Sequence, residues 1–241
     1  DLVLFTVKAA GIAQAIEDIA PAVGPHTLIL PVLNGMRHID ALVERFGERA
    51  VLGGVVKVIT TLNAEGDVVR LGDLQSLVYG ARTDPAPPAL AEADRVLSGA
   101  GFDAGLSGKV VEAMWSKWVF IASIGAVNSL LRAEIRDVVA VAGGKEFALA
   151  VVAEAAAVAD AAGYPVPPAE LDMTRVVVTN PATPGSSLYR DLISGNPVEA
   201  EQIFGDLTAR GARLGVATPL LDLVILHLRV HQHRVVNRPT E

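Results

Sequence analysis

The spacing of apolar residues changes once along the 241-residue chain, near residue 106, and that change separates two kinds of structure. Before it, short continuous apolar runs alternate with segments of helical period. Leu2–Val7 and Thr27–Leu33 are runs of the kind buried on both faces of a parallel sheet. Between them Ile12, Ala15, Ile16, Ile19 and Val23 recur at helical spacing across Ala9–Val23, and Gly24-Pro25 ends the pattern. A short amphipathic helix is expected over Ile39–Phe46, closed by Gly47. Strand, helix and strand joined by short loops specify a parallel α/β layer. Val55–Leu62, Val68–Leu71 and Ser76–Tyr79 read as short strands joined at Asn63–Gly66 and Gly72-Asp73, so this stretch is expected to be antiparallel. A proline-rich loop at Thr83–Pro88, a helix over Leu90–Ala100 and a strand over Phe102–Leu106 complete the first part.

After Gly108 the strand signals almost vanish. One long helix is expected over Val110–Leu131, continuing after a bend as Glu134–Val141. Further helices are expected over Lys145–Ala162, Pro168–Val178, Ser187–Ile193, Glu199–Leu214 and Pro219–His233. Gly163-Tyr-Pro165, the loop Asn180–Gly185, Gly195-Asn-Pro197 and Gly215 separate them. The expected class is α/β in residues 1–106 and all-helical in residues 107–241.

Composition removes several kinds of chemistry. There is no cysteine, hence no disulfide, thiolate nucleophile or cysteine metal site, which matches a reducing cytoplasm. The net charge is −7 and basic residues gather only weakly, near Arg229–Arg238, so binding to nucleic acid is not expected. A local basic pocket for a small anion stays open. The most apolar stretch, Val119–Leu131, is too short to cross a bilayer and follows Lys117 closely, so neither a membrane helix nor a signal peptide is expected. Asp1 opens directly onto a strand of buried type. A preceding segment of the natural protein, or another chain, is expected to cover that strand's edge.

The phosphate-cradling pattern G-x-G-x-x-G between a strand and a helix is absent; Gly53-Gly54 and Gly143-Gly144 lack its spacing. Asn34-Gly35 directly follows an apolar strand, as a tight turn or as a ligand position at a strand's carboxyl end. Lys8 ends the first strand in the same way, solvated or facing a ligand. Lys117 lies among apolar and aromatic residues in Met114–Phe120, where a lysine must snorkel, pair or line a pocket. A desolvated lysine there can serve as a general acid. Asn128 follows eleven residues later, about three turns on and so on the same helix face. Ser187 is either a helix N-cap or a ligand group, and Glu199 either a first-turn carboxylate or a catalytic one. His26, His38, His227, His231 and His233 form no metal-ligand pattern, and no G-x-S-x-G elbow marks a serine hydrolase.

The order of these segments resembles the ketopantoate reductase (2-dehydropantoate 2-reductase) family across nearly the whole chain. The matching stretches are Asp1–Ala9 with its Val-Lys-Ala ending, Leu30-Pro-Val-Leu-Asn-Gly-Met36, Val51-Leu-Gly-Gly-Val55 and Trp115-Ser-Lys117. Further along come Ala153-Glu-Ala-Ala-Ala-Val158 with Gly163, Ser186-Ser-Leu-Tyr-Arg-Asp191, Glu199 and Gly215-Val-Ala-Thr-Pro219. The resemblance implies a partial Rossmann-like doubly wound sheet, a helical substrate and dimerisation domain, and a homodimer. It implies reduction of ketopantoate to pantoate with NADPH, a step of pantothenate synthesis. By the same resemblance Lys117 protonates the substrate oxygen, Glu199 holds the substrate hydroxyl and Ser187 its carboxylate. Asn128 belongs to the substrate-binding set, Asn34 lies between cofactor and substrate, Lys8 near the cofactor, and Glu154 near the site. Two departures point to a more apolar 2-keto acid: the family often carries asparagines four and eight residues after the catalytic lysine, where this chain has Ile121 and Gly125. The family's glycine-rich turn would precede Asp1, and no reductase activity is expected of a chain truncated before it. A non-catalytic helical interaction module and another two-domain hydroxyacid dehydrogenase are the competing expectations.

Overall fold

The computed structural model of the chain describes residues 1–63 and 65–237, so Arg238, the end of the weak basic cluster, lies outside the described residues. The chain divides into two compact units. An α/β unit comprises Asp1–Leu33 and Arg37–Met114; a helical unit comprises Asn34–Met36 and everything from Trp115 onward.

In the α/β unit, β1 (Leu2–Phe5) runs parallel to β2 (Leu28–Pro31), with Leu2 opposite Leu28. The crossover between them is α1 (Ile12–Ile19) flanked by two 3-10 turns, a shorter and more broken helix than the pattern suggests. Every residue of β2 is buried. On its other edge the Ile29 N–H donates to the Ala50 carbonyl at 2.7 Å, and the Leu52 N–H to the Ile29 carbonyl at 2.9 Å. At Gly54, the second residue of the next strand, any Cβ would lie 2.4 Å from the Pro31 carbonyl oxygen, so only glycine lets the two backbones approach.

A second sheet has the order β3 (Gly53–Leu62), β4 (Val68–Gly80), β5 (Asp103–Leu106), antiparallel and then parallel. The turn expected at Gly72-Asp73 is not formed. Val58 pairs with Gln75 but Thr60 pairs with Arg70, so those residues bulge out of a single long β4. The helices α2 (Arg37–Phe46) and α3 (Leu90–Leu97) complete the unit. Leu28, Leu30, Leu52, Leu77, Leu90 and Leu97 form its core around the fully buried Tyr79. The Tyr79 hydroxyl donates to Asp94 Oδ1 at 2.6 Å. Burial, then that hydrogen bond, then the Asp94 charge push the phenol's pKa up to about 12.

The helical unit is built on the part of α4 (Val110–Leu131) from Trp115 onward; the helix's expected bounds match. By length and mean hydropathy (1.4) this helix is apolar enough to cross a membrane, which the sequence alone did not suggest. Within the protein, 67% of its apolar window is buried, as befits a core helix that is apolar all round. Around it are α5 (Ile135–Val139), α6 (Gly144–Ala161), α7 (Pro168–Thr179), α8 (Ser187–Ile193), α9 (Asp206–Arg213) and α10 (Pro219–Val236). The helix expected over Glu199–Leu214 is instead a π turn, Glu201–Gly205, leading into α9. The Asp206 N–H reaches five residues back to the Glu201 carbonyl, the mark of a π turn.

Candidate active site

Lys117 is half-buried on α4 between Ser116 and Trp118, at the rim of an aromatic stack in the helical unit. Tyr164 stacks on Trp115 with centroids 6.0 Å apart, and Trp115 meets Trp118 at 5.0 Å. The Arg210 guanidinium lies 5.7 Å from the Trp118 ring and bonds Asp206 through Nε at 3.1 Å to each carboxylate oxygen. Both tryptophans are at least 98% buried, so the stretch carrying Lys117 is held on two sides by large flat surfaces.

The π turn gathers the other candidates. The Trp118 indole N–H donates to the Ile203 carbonyl at 2.8 Å, inside the core. The Gln202 amide donates through Nε2 to the Asn34 carbonyl at 2.9 Å. Gly35 sits at φ +72°, and a Cβ there would stand 2.2 Å from the Gln202 carbonyl oxygen, so the Asn34-Gly35 turn is pressed backbone to backbone on the π turn. Half-buried Glu199 precedes the turn, and its carbonyl accepts the Ile203 N–H at 3.1 Å. On the outer side Arg229 grips Glu201 with two bonds, Nε to Oε1 at 2.6 Å and Nη2 to Oε2 at 3.0 Å. Asn34 and Glu199 thus bond the same five-residue turn through their own carbonyls, and Lys117 is one residue from Trp118, which bonds it through its indole.

Asn128 is fully buried and its amide is used on backbone: Nδ2 donates to the Ala133 carbonyl at 2.9 Å, and Oδ1 accepts the Ser186 N–H at 3.1 Å. It closes the end of α4 and fixes the start of α8. The α8 cap is Ser186, whose Oγ accepts the Tyr189 N–H at 3.2 Å, not the neighbouring Ser187, which is left exposed on the first turn. Glu154 also has a structural occupation. Its two carboxylate oxygens accept the Leu220 N–H at 3.0 Å each, and Oε2 accepts the Leu221 N–H at 3.0 Å, capping the amino end of α10.

One and two helical turns beyond Lys117, α4 presents half-buried Ile121 and buried Gly125. A Cβ on Gly125 would touch Phe204 Cζ at 3.4 Å and Leu188 Cδ2 at 3.6 Å, so the π turn's phenylalanine fills the space in which a longer side chain would stand. In the α/β unit, Lys8 lies just past β1, extended at φ −73° and ψ 159°, before a 3-10 turn. Lys8 and Asn34 thus each follow the carboxyl end of a parallel strand, the position at which open α/β sheets take ligands. A glycine-rich turn opening a helix, of the kind that receives a dinucleotide's pyrophosphate, is not among the described residues. Sequence reasoning missed Gln202, the indole bond of Trp118 and the Arg229–Glu201 clamp. A glutamine within the apolar run at Ile203-Phe204 was the available signal for the first.

Solved structures of similar fold are plentiful. D-mandelate dehydrogenase, solved with NADH and anilino(oxo)acetate, matches 98% of the chain and 77% of its own with a TM-score of 0.85 at 20% identity, a likeness of fold. The PanE/ApbA family ketopantoate reductase of Ralstonia eutropha matches 98% of the chain and 77% of its own, TM-score 0.84, at 25% identity. The models of the family match residues 1–84 (ketopantoate reductase PanE/ApbA) and 109–232 (its C-terminal part), and the chain belongs to the ketopantoate reductase family of oxidoreductases. Among curated relatives, the uncharacterized oxidoreductase YkpB of Bacillus subtilis is 27% identical over 96% of the chain and 77% of YkpB. The 2-dehydropantoate 2-reductase of Lactococcus lactis is 26% identical over 93% of the chain and 73% of its own length.

Proposed function

We propose that this protein reduces a 2-keto acid to the 2-hydroxy acid with a nicotinamide cofactor, NADPH and ketopantoate being the first pair to try, as in pantothenate synthesis. The observation that carries this reading is that Asn34, Glu199 and Trp118, the neighbour of Lys117, all bond one π turn. The reduced nicotinamide, when bound, supplies a hydride to the keto carbon. Lys117 gives a proton through Nζ to the keto oxygen and stabilises the charge developing on it. Glu199 accepts a hydrogen bond from the substrate's hydroxyl, and the exposed Ser187 hydroxyl donates to its carboxylate. Asn34 and Lys8 orient the cofactor. Asn128, assigned to the substrate on sequence alone, acts by holding the Ser186-Ser187 segment in place. A homodimer is part of the proposal; the ketopantoate reductase of Staphylococcus aureus, 20% identical with a TM-score of 0.82, is described as dimeric.

A second reading concerns the substrate. Ile121 and the Phe204-filled space at Gly125 put apolar surface one and two turns from Lys117, favouring a 2-keto acid with an apolar side chain over one with a hydroxyl to satisfy. The test is oxidation of NADPH and NADH by the complete gene product with ketopantoate and a series of aliphatic and aromatic 2-keto acids. Lys117→Ala is expected to lower kcat by roughly 100- to 10,000-fold. Turnover of none of these acids, or full activity in Lys117→Ala, overturns the proposal.

A further inference from the structure

We propose that Gln202 is a positioning residue, holding the Asn34 turn in register with Glu199 and Lys117; the kinetic half of this proposal rests on the reductase reading above. Gln202 is 3% exposed and sits beside the fully apolar Ile203 and Phe204, so its amide stays in the core only because it is hydrogen-bonded. The bond goes to the main-chain carbonyl of Asn34, 168 residues away in sequence. The opposite face of the same contact is main chain on main chain, since the missing Cβ of Gly35 leaves room for the Gln202 carbonyl. Side chain and backbone of one residue therefore fix both the carbonyl of Asn34 and the turn that follows it.

The neighbours of Gln202 make that fixation chemical rather than merely structural. Ile203 carries the indole bond of Trp118, next to Lys117, and its N–H returns to the Glu199 carbonyl. A shift of the Asn34 turn against residues 202–203 changes its distance to the two proposed catalytic groups without unfolding a helix. The segment Asn34–Met36 belongs to the helical unit while its flanks, Leu33 and Arg37, belong to the α/β unit. The turn is thus assigned by its contacts to the unit that carries Lys117 and Glu199, and Gln202 is the side chain that makes one of those contacts.

The decisive experiment compares Gln202→Met, which keeps the length and removes the donor, with the wild-type complete protein. Hydrogen exchange of a peptide spanning residues 34–37 is expected to quicken about tenfold, with α6 and α10 unchanged. The Asn34 carbonyl carbon resonance moves upfield as its hydrogen bond is lost. The kcat for the 2-keto acid falls about tenfold or more while KM changes less than about threefold, the pattern of misplaced catalytic groups, not of lost binding. Gly35→Ala disturbs the same contact from the other side, so the double variant is expected to lose no more than the worse single one. Gln202→Leu, which also lacks a donor, serves if the methionine variant does not fold. Unchanged exchange at residues 34–37, or additive losses in the double variant, overturn the proposal. If the wild-type protein reduces no 2-keto acid, the reductase reading fails while exchange and the carbonyl resonance still decide the role of Gln202.

Discussion

The α/β unit and the helical unit solve the same problem, burying a polar backbone, in opposite ways. In the first, β2 is bonded on both edges by backbone alone, and side chains are left to pack; one of its polar side-chain contacts is Tyr79 with Asp94, fifteen residues apart. In the second, helices satisfy their own middles but leave orphan groups at their ends and at the π turn. Distant side chains supply those partners: Trp118 for Ile203, Gln202 for Asn34, Asn128 for Ser186, Glu154 for Leu220 and Leu221. The lesson is that buried polar residues of the helical unit mark where its ladders stop, and the candidate site lies at one of those places.

The contrast can be broken most severely at Trp118. Trp118→Ala removes a large ring and strands the Ile203 carbonyl, and is expected to cost about 3–5 kcal/mol. Denaturation followed by hydrogen exchange should show the loss concentrated in α4, the π turn and α9. Equal loss in β1 and β2 would mean that the two units do not differ as described. Asn128→Leu has a smaller expected effect, about 1–3 kcal/mol, because it leaves the Ser186 N–H and Ala133 carbonyl without their partner. Loss of protection at the start of α8 checks it; an unaltered α8 would return Asn128 to the role of a substrate ligand. The smallest effect sharpens the other side of the comparison. The Tyr79 phenol is pushed from 10.0 to about 12 in the folded protein. Its stabilisation is therefore complete below pH 10 and lost as pH rises toward 12, because the unfolded chain releases the proton first. Tyr79→Phe should flatten the alkaline fall in stability of the α/β unit; denaturant midpoints between pH 9 and 12 that fall equally in both proteins would assign the fall elsewhere.

Much of the fold was legible because period and punctuation agree. Val110–Leu131 and Ser187–Ile193 were delimited from sequence as they stand in the structure, each by apolar spacing and glycine or proline near its ends. The bulge in β4 was not: Gly72-Asp73 is turn chemistry, yet pairing on both sides of it holds the strand together. The π turn was invisible for a similar reason, since one extra residue shifts the phase of a helical pattern without erasing it. Of the candidate site, Lys117, Asn34 and Glu199 were found as residue types next to strand ends or amid apolar helices. Gln202 and the occupations of Asn128 and Glu154 were not, because their partners stand 168, 58 and 66 residues away and no local pattern encodes such a contact.

A π turn is a helix with one residue too many, and such an insertion is simple to undo. Deleting a single residue from Glu201–Gly205 would restore regular bonding and swing everything before it by about 100° around the helix axis. The shortened protein would gain regular helical bonding there but turn Gln202 and Ile203 away from Asn34 and Trp118, and is expected to melt lower for it. The extra residue thus works as a phase spacer, letting one short stretch of chain meet α4 and the Asn34 turn at the same time.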